Sequence, residues 1–462
     1  MVYRKNIMKN KIIFAAMAIG LTVFSSCEKQ LDVNPVASLS PEVVGPAEAP
    51  KLLNGVYDAL QVGSNTSYYY LSYATEDLSA DNLVYRATFF QHGEVDNNAI
   101  LTNNVLVSRY FTGPYAIIQK ANDLLDILKS GSIPEATAKP LLTQAYFLRA
   151  YAYYRLVTIF GAVPVVFNRD VVKVPRKSQD EVYAQIIADL QASISAGTDF
   201  SDAKFASIQA SKALLARVYL IRKNYPLAKQ YADEVINSGK FQITSNYASI
   251  FTTPYVSTEH IFKLNFTATE GQQSLDFFLQ HPTMPGGGRA ELPVDQSLVN
   301  AYEAGDTRKA ASIQQIVAPT ANPGWYSKKY QDPSGNGALP FSILRISEMY
   351  LISGEAQLLI SNNNTDATAL SRINAVRTNR GLGALTTADQ QAFLRERRVE
   401  LAFEGTRWMD MKRTPSATNP SKSMATVFLE AKGRSINDEL YPIPQDAITT
   451  NDLLLPNNPG YN

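Results

Sequence analysis

The chain is 462 residues long and 45% hydrophobic, with 43 Lys+Arg against 42 Asp+Glu and a formal charge of +1. That balance excludes a nucleic-acid partner, since phosphate contacts need clustered basic residues and no basic block is present. With one cysteine in the whole chain, an internal disulfide is excluded as well.

In chain order, the first element is Met8-Lys9-Asn10-Lys11, followed by the apolar run Ile12 to Phe24 and then Ser25-Ser26-Cys27. A positive start, a short apolar stretch and small residues before a cut site make a secretion signal. The run is shorter than the ~20 residues that cross a bilayer as a helix. The expectation is a signal peptide over residues 1–26 and a lipid on Cys27 that tethers the mature chain to a membrane; a signal peptide with a chance cysteine is the competing reading. Pro35, Pro41, Pro46 and Pro50 mark residues 27–50 as an extended leader. Residues 51–462 read as one domain in three parts: helix pairs over about 51–240, a loop-rich insertion over about 241–341, and C-terminal helices with a tail over about 342–462.

Leu141, Ala145, Leu148, Ala152, Leu156 and Ile159 form an apolar stripe at helical spacing, stopped by Gly161 and Pro164. From about Ser207 to Ser238 a helical hairpin is predicted, turning at Asn224-Tyr225-Pro226. There the small Ala216 and Ala228 let two helices approach while Tyr219 and Tyr225 fill the space beside them, as in a tetratricopeptide unit. Between the helical regions lies Phe241 to Phe341, where Gly286-Gly287-Gly288, Pro282, Pro285, Pro293, Pro319 and Pro323 break any long period. Loops and short strands on a rigid frame are the usual seat of binding groups. A second helix pair is predicted over about Leu344 to Ile360 and Asp366 to Asn379, with Gly381 as its stop. A charge-rich helix follows over about Ala388 to Met411. The fold class is mainly α, a tetratricopeptide-like helix-pair scaffold with long loop and short-strand insertions.

His92, His260 and His281 are the chain's three histidines and have no metal-ligand spacing. Nucleophile elbow and phosphate-cradling loop are also missing. No catalytic residue, metal ligand or cofactor is therefore expected, with a carbonyl-rich structural Ca2+ site in a loop left open. Glu396, Glu400 and Glu404 recur at four-residue spacing and imitate paired catalytic carboxylates. Arg395, Arg397, Arg398 and Arg407 around them point instead to a salt-bridged structural ladder, with Trp408 as packing. In an extended segment, Tyr68-Tyr69-Tyr70 would send alternate rings to opposite faces.

Several motifs occur in a family-like order. They include Leu52-Leu53-Asn54-Gly55-Val56-Tyr57, Glu76 to Asn82, and Gln144 to Ala150 followed by Phe160-Gly161-Ala162-Val163-Pro164. Further on come Gly305-Asp306-Thr307-Arg308, Arg345 to Ile352, Arg395 to Glu404 with Trp408, Tyr441-Pro442-Ile443-Pro444, and Asn457 to Tyr461. From lipid site to last residue the chain resembles the SusD/RagB family of outer-membrane lipoproteins. The resemblance implies a surface-exposed glycan-binding lipoprotein without enzymatic activity, in which insertions form the ligand face. Its implied partners are a SusC-like TonB-dependent transporter, over which it acts as a lid, the glycan itself, and the outer membrane through the lipid anchor at the cell exterior.

Sugar binding asks for flat apolar faces with amides, carboxylates and guanidinium groups around them. Phe89, Phe90, Trp325 and Tyr326 are the leading platforms, because they fall where SusD-like proteins place ligand-contacting loops. Asp81, Asn82, Arg86 and Arg289 are the polar partners, and Phe277, Phe278 and Tyr255 are second choices. Two other readings stay open: the same lid role for peptides or another nutrient, and a tetratricopeptide-type interaction scaffold. A glycosidase would need two carboxylates about 5 to 10 Å apart across a cleft.

Overall fold

The computed structural model describes residues 44–61, 68–167, 172–267, 276–334 and 338–461. Cys27, the signal segment and most of the leader lie outside them. The described chain opens with α1 (Ala49–Gln61), α2 (Tyr68–Ser79) and the short α3 (Phe90–Asp96). Tyr68-Tyr69-Tyr70 begin a helix, so the alternation that an extended segment would have given does not arise. The long α4 (Val105–Lys129) and α5 (Glu135–Phe160) follow, then α6 (Gln179–Ala196), α7 (Ile208–Ile221) and α8 (Tyr225–Ile236), each packed on the one before it.

These helices start where local chemistry tells them to. The side chains of Asn104, Ser178, Ser207 and Asn224 each accept a backbone N–H from the first turn, satisfying donors a helix start leaves unpaired. Ser178 and Glu181 do so reciprocally. In the α7–α8 hairpin, Ala216 and Ala228 are buried as expected. Tyr219 stacks on Tyr231 at 5.7 Å with ring planes 4° apart, and Tyr225 is partly buried against the core. Tyr231 lies one turn on from Ala228 and so shares its face of α8.

The insertion supplies β1 (His260–Leu264), α9 (Asp276–Leu279), α10 (Gln296–Ala301), α11 (Thr307–Ser312), β2 (Ile313–Ile316), β3 (Gly324–Ser327) and β4 (Phe341–Arg345). β1 and β4 pair antiparallel, His260 opposite Arg345 and Leu264 opposite Phe341. Both are buried throughout, so the insertion is anchored at its base. β2 and β3 form a hairpin with Gln315 opposite Trp325.

β4 runs directly into α12 (Ile346–Ser361), followed by α13 (Ala367–Thr378), α14 (Gln390–Glu400), α15 (Arg407–Arg413), α16 (Met424–Ala431) and α17 (Gln445–Thr450). The charge-rich helix expected over Ala388 to Met411 is therefore two helices. Between them Phe403 and Gly405 take φ of +64° and +65°. A Cβ on Gly405 would sit 2.8 Å from Tyr73 Cδ1, so the close approach of α2 and the left-handed turn both ask for glycine.

A continuous hydrophobic cluster runs from Val44 to Leu454, and a smaller one, including Leu351, Ile373 and Phe393, joins α12, α13 and α14. Threaded through this core is the charge network. Glu400 accepts from Arg345 and Arg380 at 2.8 Å and from Arg308 at 3.1 Å. Glu396 accepts from Arg308 and Arg377, and Glu404 from Arg345 and Lys329. The carboxylates are structural, as their basic neighbourhood suggested, but their partners come from distant segments. Of the arginines expected beside them, Arg397 pairs with Asp410, Arg398 and Arg407 pair with Asp81, and Arg395 is exposed. The network ties the insertion to the C-terminal helices and fixes where its loops stand.

Candidate functional site

Three stretches far apart in sequence are laced together by backbone bonds. Val84 N–H donates to Pro293 O at 3.0 Å, Arg86 N–H to Glu291 O at 3.1 Å, and Asp295 N–H to Asn82 O at 2.9 Å. Val294 N–H then reaches Trp325 O, and Arg289 N–H reaches Phe277 O, each at 2.8 Å. Residues 82–92, 277–295 and 324–326 consequently share one surface, and every site residue expected from the sequence except the second-choice Tyr255 lies on these segments or next to them.

Within that surface the residues divide by what they touch. Phe90 opens α3 and is 63% exposed. Arg86 is also exposed and donates to Pro323 O at 2.8 Å, which sets its guanidinium beside β3. Arg289 is exposed and lies over the Phe277 ring, 5.6 Å from its centre. Trp325 is half-buried, with Lys309 Nζ 5.4 Å from its ring centre. Its cross-strand neighbour Gln315 is exposed, and cross-strand pairs share a face of a hairpin.

Other residues hold this surface from below. Tyr326, next to Trp325, points the opposite way, is 0% exposed, and packs with Met284, Ala290 and Ile316. Burial raises its hydroxyl pKa, with Arg86 opposing. Asn82 is fully buried, donating to Asp77 and accepting from Arg398. Asp81 is gripped by the Arg407 fork at 2.7 and 2.8 Å. Burial raises its pKa, but the Arg407 and Arg398 guanidinium groups outweigh it and hold the carboxyl below the usual range. Phe89 is partly buried and stacks on Phe278 at 6.1 Å. Tyr255 lines a separate cleft of about 480 Å³ with Phe251, Thr252 and Gln331.

Sequence reasoning missed the support beneath the aromatic residues. Glu291 accepts from Phe89 N–H at 2.9 Å and lies 3.9 Å from His92 Nδ1, an electrostatic contact too long for a hydrogen bond. Burial raises the Glu291 pKa, but His92, the Phe89 N–H and Arg289 together hold it below the ordinary range. Burial lowers that of His92. Phe89 and Glu291 are 202 residues apart, and no motif spans such a separation. Chemically the surface presents an exposed ring and a partly exposed indole with two guanidinium groups and an amide. It suits stacking and hydrogen bonding to a polyhydroxylated ligand. Among the described residues no group of His, Cys, Asp and Glu is placed to hold a metal ion.

Two family models match in succession: "Starch-binding associating with outer membrane" over residues 29–220 and "SusD family" over residues 304–461. The chain belongs to the SusD/RagB family. A SusD-like protein, P2, of Formosa agariphila is 26% identical, over 98% of this chain and 100% of its own. Among solved structures, this SusD-like chain is similar to surface glycan-binding protein A from Bacteroides uniformis, with a TM-score of 0.78 and 24% identity over 89% of this chain and 99% of that one. It is likewise similar to a laminarin-binding SusD-like protein, with a TM-score of 0.77 and 24% identity over 90% of this chain and 100% of that one. These likenesses show the mainly α SusD fold, and no helix among the described residues is long and apolar enough to cross a membrane.

Proposed function

We propose that this SusD-like chain captures a glycan at the cell surface and passes it, as a lid, to a SusC-like TonB-dependent transporter in the outer membrane, to which a lipid on Cys27 tethers it. The supporting observation is the convergence of Phe90, Arg86, Arg289 and Trp325 from three distant segments onto one face. Phe89, Tyr326, Asp81 and Asn82 serve that face as its supports. Two similar structures bear names that state glycan or laminarin binding, which agrees with the chemistry of the surface. Binding is proposed without bond cleavage, since the closely spaced carboxylates Glu259, Glu400 and Glu404 are buried and neutralised by Arg345, Arg380 and Lys329.

Calorimetric titration against laminarin, starch, plant and host polysaccharides tests the reading. Binding to a glycan, lost in Trp325→Ala and weakened in Phe90→Ala, is the expected result. Silence across the glycans with binding to peptides would replace the ligand class while leaving the lid role to be measured with the transporter.

A further inference from the structure

A second cleft, of about 550 Å³, lies between α1, the loop before α7 and the end of β1. On one wall stands Phe205, 47% exposed. An exposed phenylalanine is ordinary on a surface, but this one is held in place. Ala206 N–H donates to Tyr57 Oη at 2.9 Å, Lys263 N–H to Ala203 O at 2.8 Å, and Phe205 N–H to Asp202 O at 3.1 Å. Its ring meets the Tyr57 ring edge-on at 6.2 Å, and Tyr57 is fixed by donating to Gln144 at 2.7 Å.

The opposite wall is a polar stripe on α1. Asn54, Asp58 and Gln61 recur at steps of four and three and so share one helix face. Asn54 and Asp58 are exposed, and among the described residues their side chains make no hydrogen bond or ion pair. Gln61 donates to Asn265 O, fastening the helix end to the floor of the cleft, where the Asn265 side chain is likewise uncommitted. The two lysines of the cleft are engaged elsewhere, Lys204 with Asp202 at 3.8 Å and Lys263 by donating to Tyr255 O at 2.7 Å. A fixed apolar face beside amides and a carboxylate, with the lysines already engaged, fits a polyol whose hydroxyls can both donate and accept.

We infer that this cleft is a second saccharide-binding site, with Phe205 as the stacking face and Asn54, Asp58 and Asn265 bonding the hydroxyls. The ligand class rests on the glycan-capture reading, whereas the site itself is separate from the Phe90–Trp325 surface.

The test is calorimetric titration of the protein with laminarihexaose, maltoheptaose and cellohexaose, comparing wild type, Phe205→Ala, Asn54→Ala/Asp58→Ala and Phe90→Ala/Trp325→Ala. Expected are two binding events per wild-type chain, one of them surviving in Phe90→Ala/Trp325→Ala, and the same one weakened at least tenfold in Phe205→Ala and in Asn54→Ala/Asp58→Ala. The α1 pair lies on an exposed helix face, so it tests the site even where Phe205→Ala unfolds. One event that vanishes in Phe90→Ala/Trp325→Ala overturns the second site and leaves glycan capture standing. One event that vanishes only in the cleft variants upholds the cleft and overturns the first surface. Silence of all three saccharides up to 10 mM overturns the cleft.

Discussion

Arg345, the last residue of β4, donates to Glu400, the last residue of α14, across 2.8 Å with both side chains wholly buried. Burial opposes the charge on Glu400, but Arg380 and Arg345 hold its carboxyl well below the usual range. Removing one partner of such a set leaves uncompensated charge in the core, at a cost of about 3–5 kcal/mol. Glu400→Ala is expected to lower unfolding stability by at least that much, measured by denaturant titration. A loss under 1 kcal/mol would show that the network is not holding the insertion in place.

Asp77 gives a pH dependence of defined sign. Burial raises its pKa to about 7, against hydrogen bonds from Asn82, Gly405 N–H and Phe403 N–H. In the unfolded chain a carboxyl titrates near ~3.9. Between the two values the folded chain holds a proton that the unfolded chain has released, so this contribution to stability is full below about pH 4 and lost as pH rises through 7. Asp77→Asn should gain on wild type by roughly 2–4 kcal/mol from pH 4 to pH 8. A stability difference that stays flat over that range would contradict the assignment.

Gly354 in α12 marks a close helix contact. A Cβ there would lie 2.6 Å from Phe393 Cε1 and 2.9 Å from Arg372 Cβ. Gly354→Ala should destabilise by about 1–3 kcal/mol through overpacking, despite the better helix propensity of alanine. A raised melting temperature would show that α14 simply moves aside.

Asp81 separates support from contact. Its bonds from Arg407 are charge-assisted, worth about 1.5–3 kcal/mol, and Arg398 adds an ion pair at 3.4 Å. Asp81→Ala is expected to lower stability by about that amount with glycan affinity unchanged within twofold. An intact fold with lost binding would place Asp81 on the ligand instead.

Phe90 and Tyr326 should behave in opposite ways. Phe90→Ala is expected to weaken binding and leave the melting temperature within a degree or two, because the ring is already in solvent. Tyr326→Ala empties a buried position and should cost about 3–5 kcal/mol. Equal stability losses in both would mean that Phe90 anchors its own loop.

Much of the helical frame was legible because its signals are local. Ser178 with Glu181, Asn224 before Pro226, and Asp366 before α13 each act on a backbone group two or three residues away. The loop-rich insertion was visible for the same reason, as glycine and proline interrupt periodicity wherever they stand. The break between α14 and α15 was not visible, since it depends on Tyr73 approaching Gly405, a contact between residues more than three hundred positions apart.

The candidate surface divides along the same line. The family resemblance, together with the loop aromatics and guanidinium groups that the chain shows, pointed to the segments around Phe89, Arg289 and Trp325. Which of them face solvent was decided only by tertiary packing. Strand alternation says that Trp325 and Tyr326 point opposite ways, but which of the two is inside depends on Met284, Ala290 and Ile316. Likewise Asp81 and Asn82 are polar loop residues by sequence and structural supports by their distant partners Arg398 and Arg407. The sequence by itself determined the helix-pair frame, its local starts and stops, and the segments that carry exposed chemistry. Only the tertiary structure decided which side chains are spent on holding the loops and which stay exposed, because burial and charge pairing are set by residues that the chain brings together from far apart.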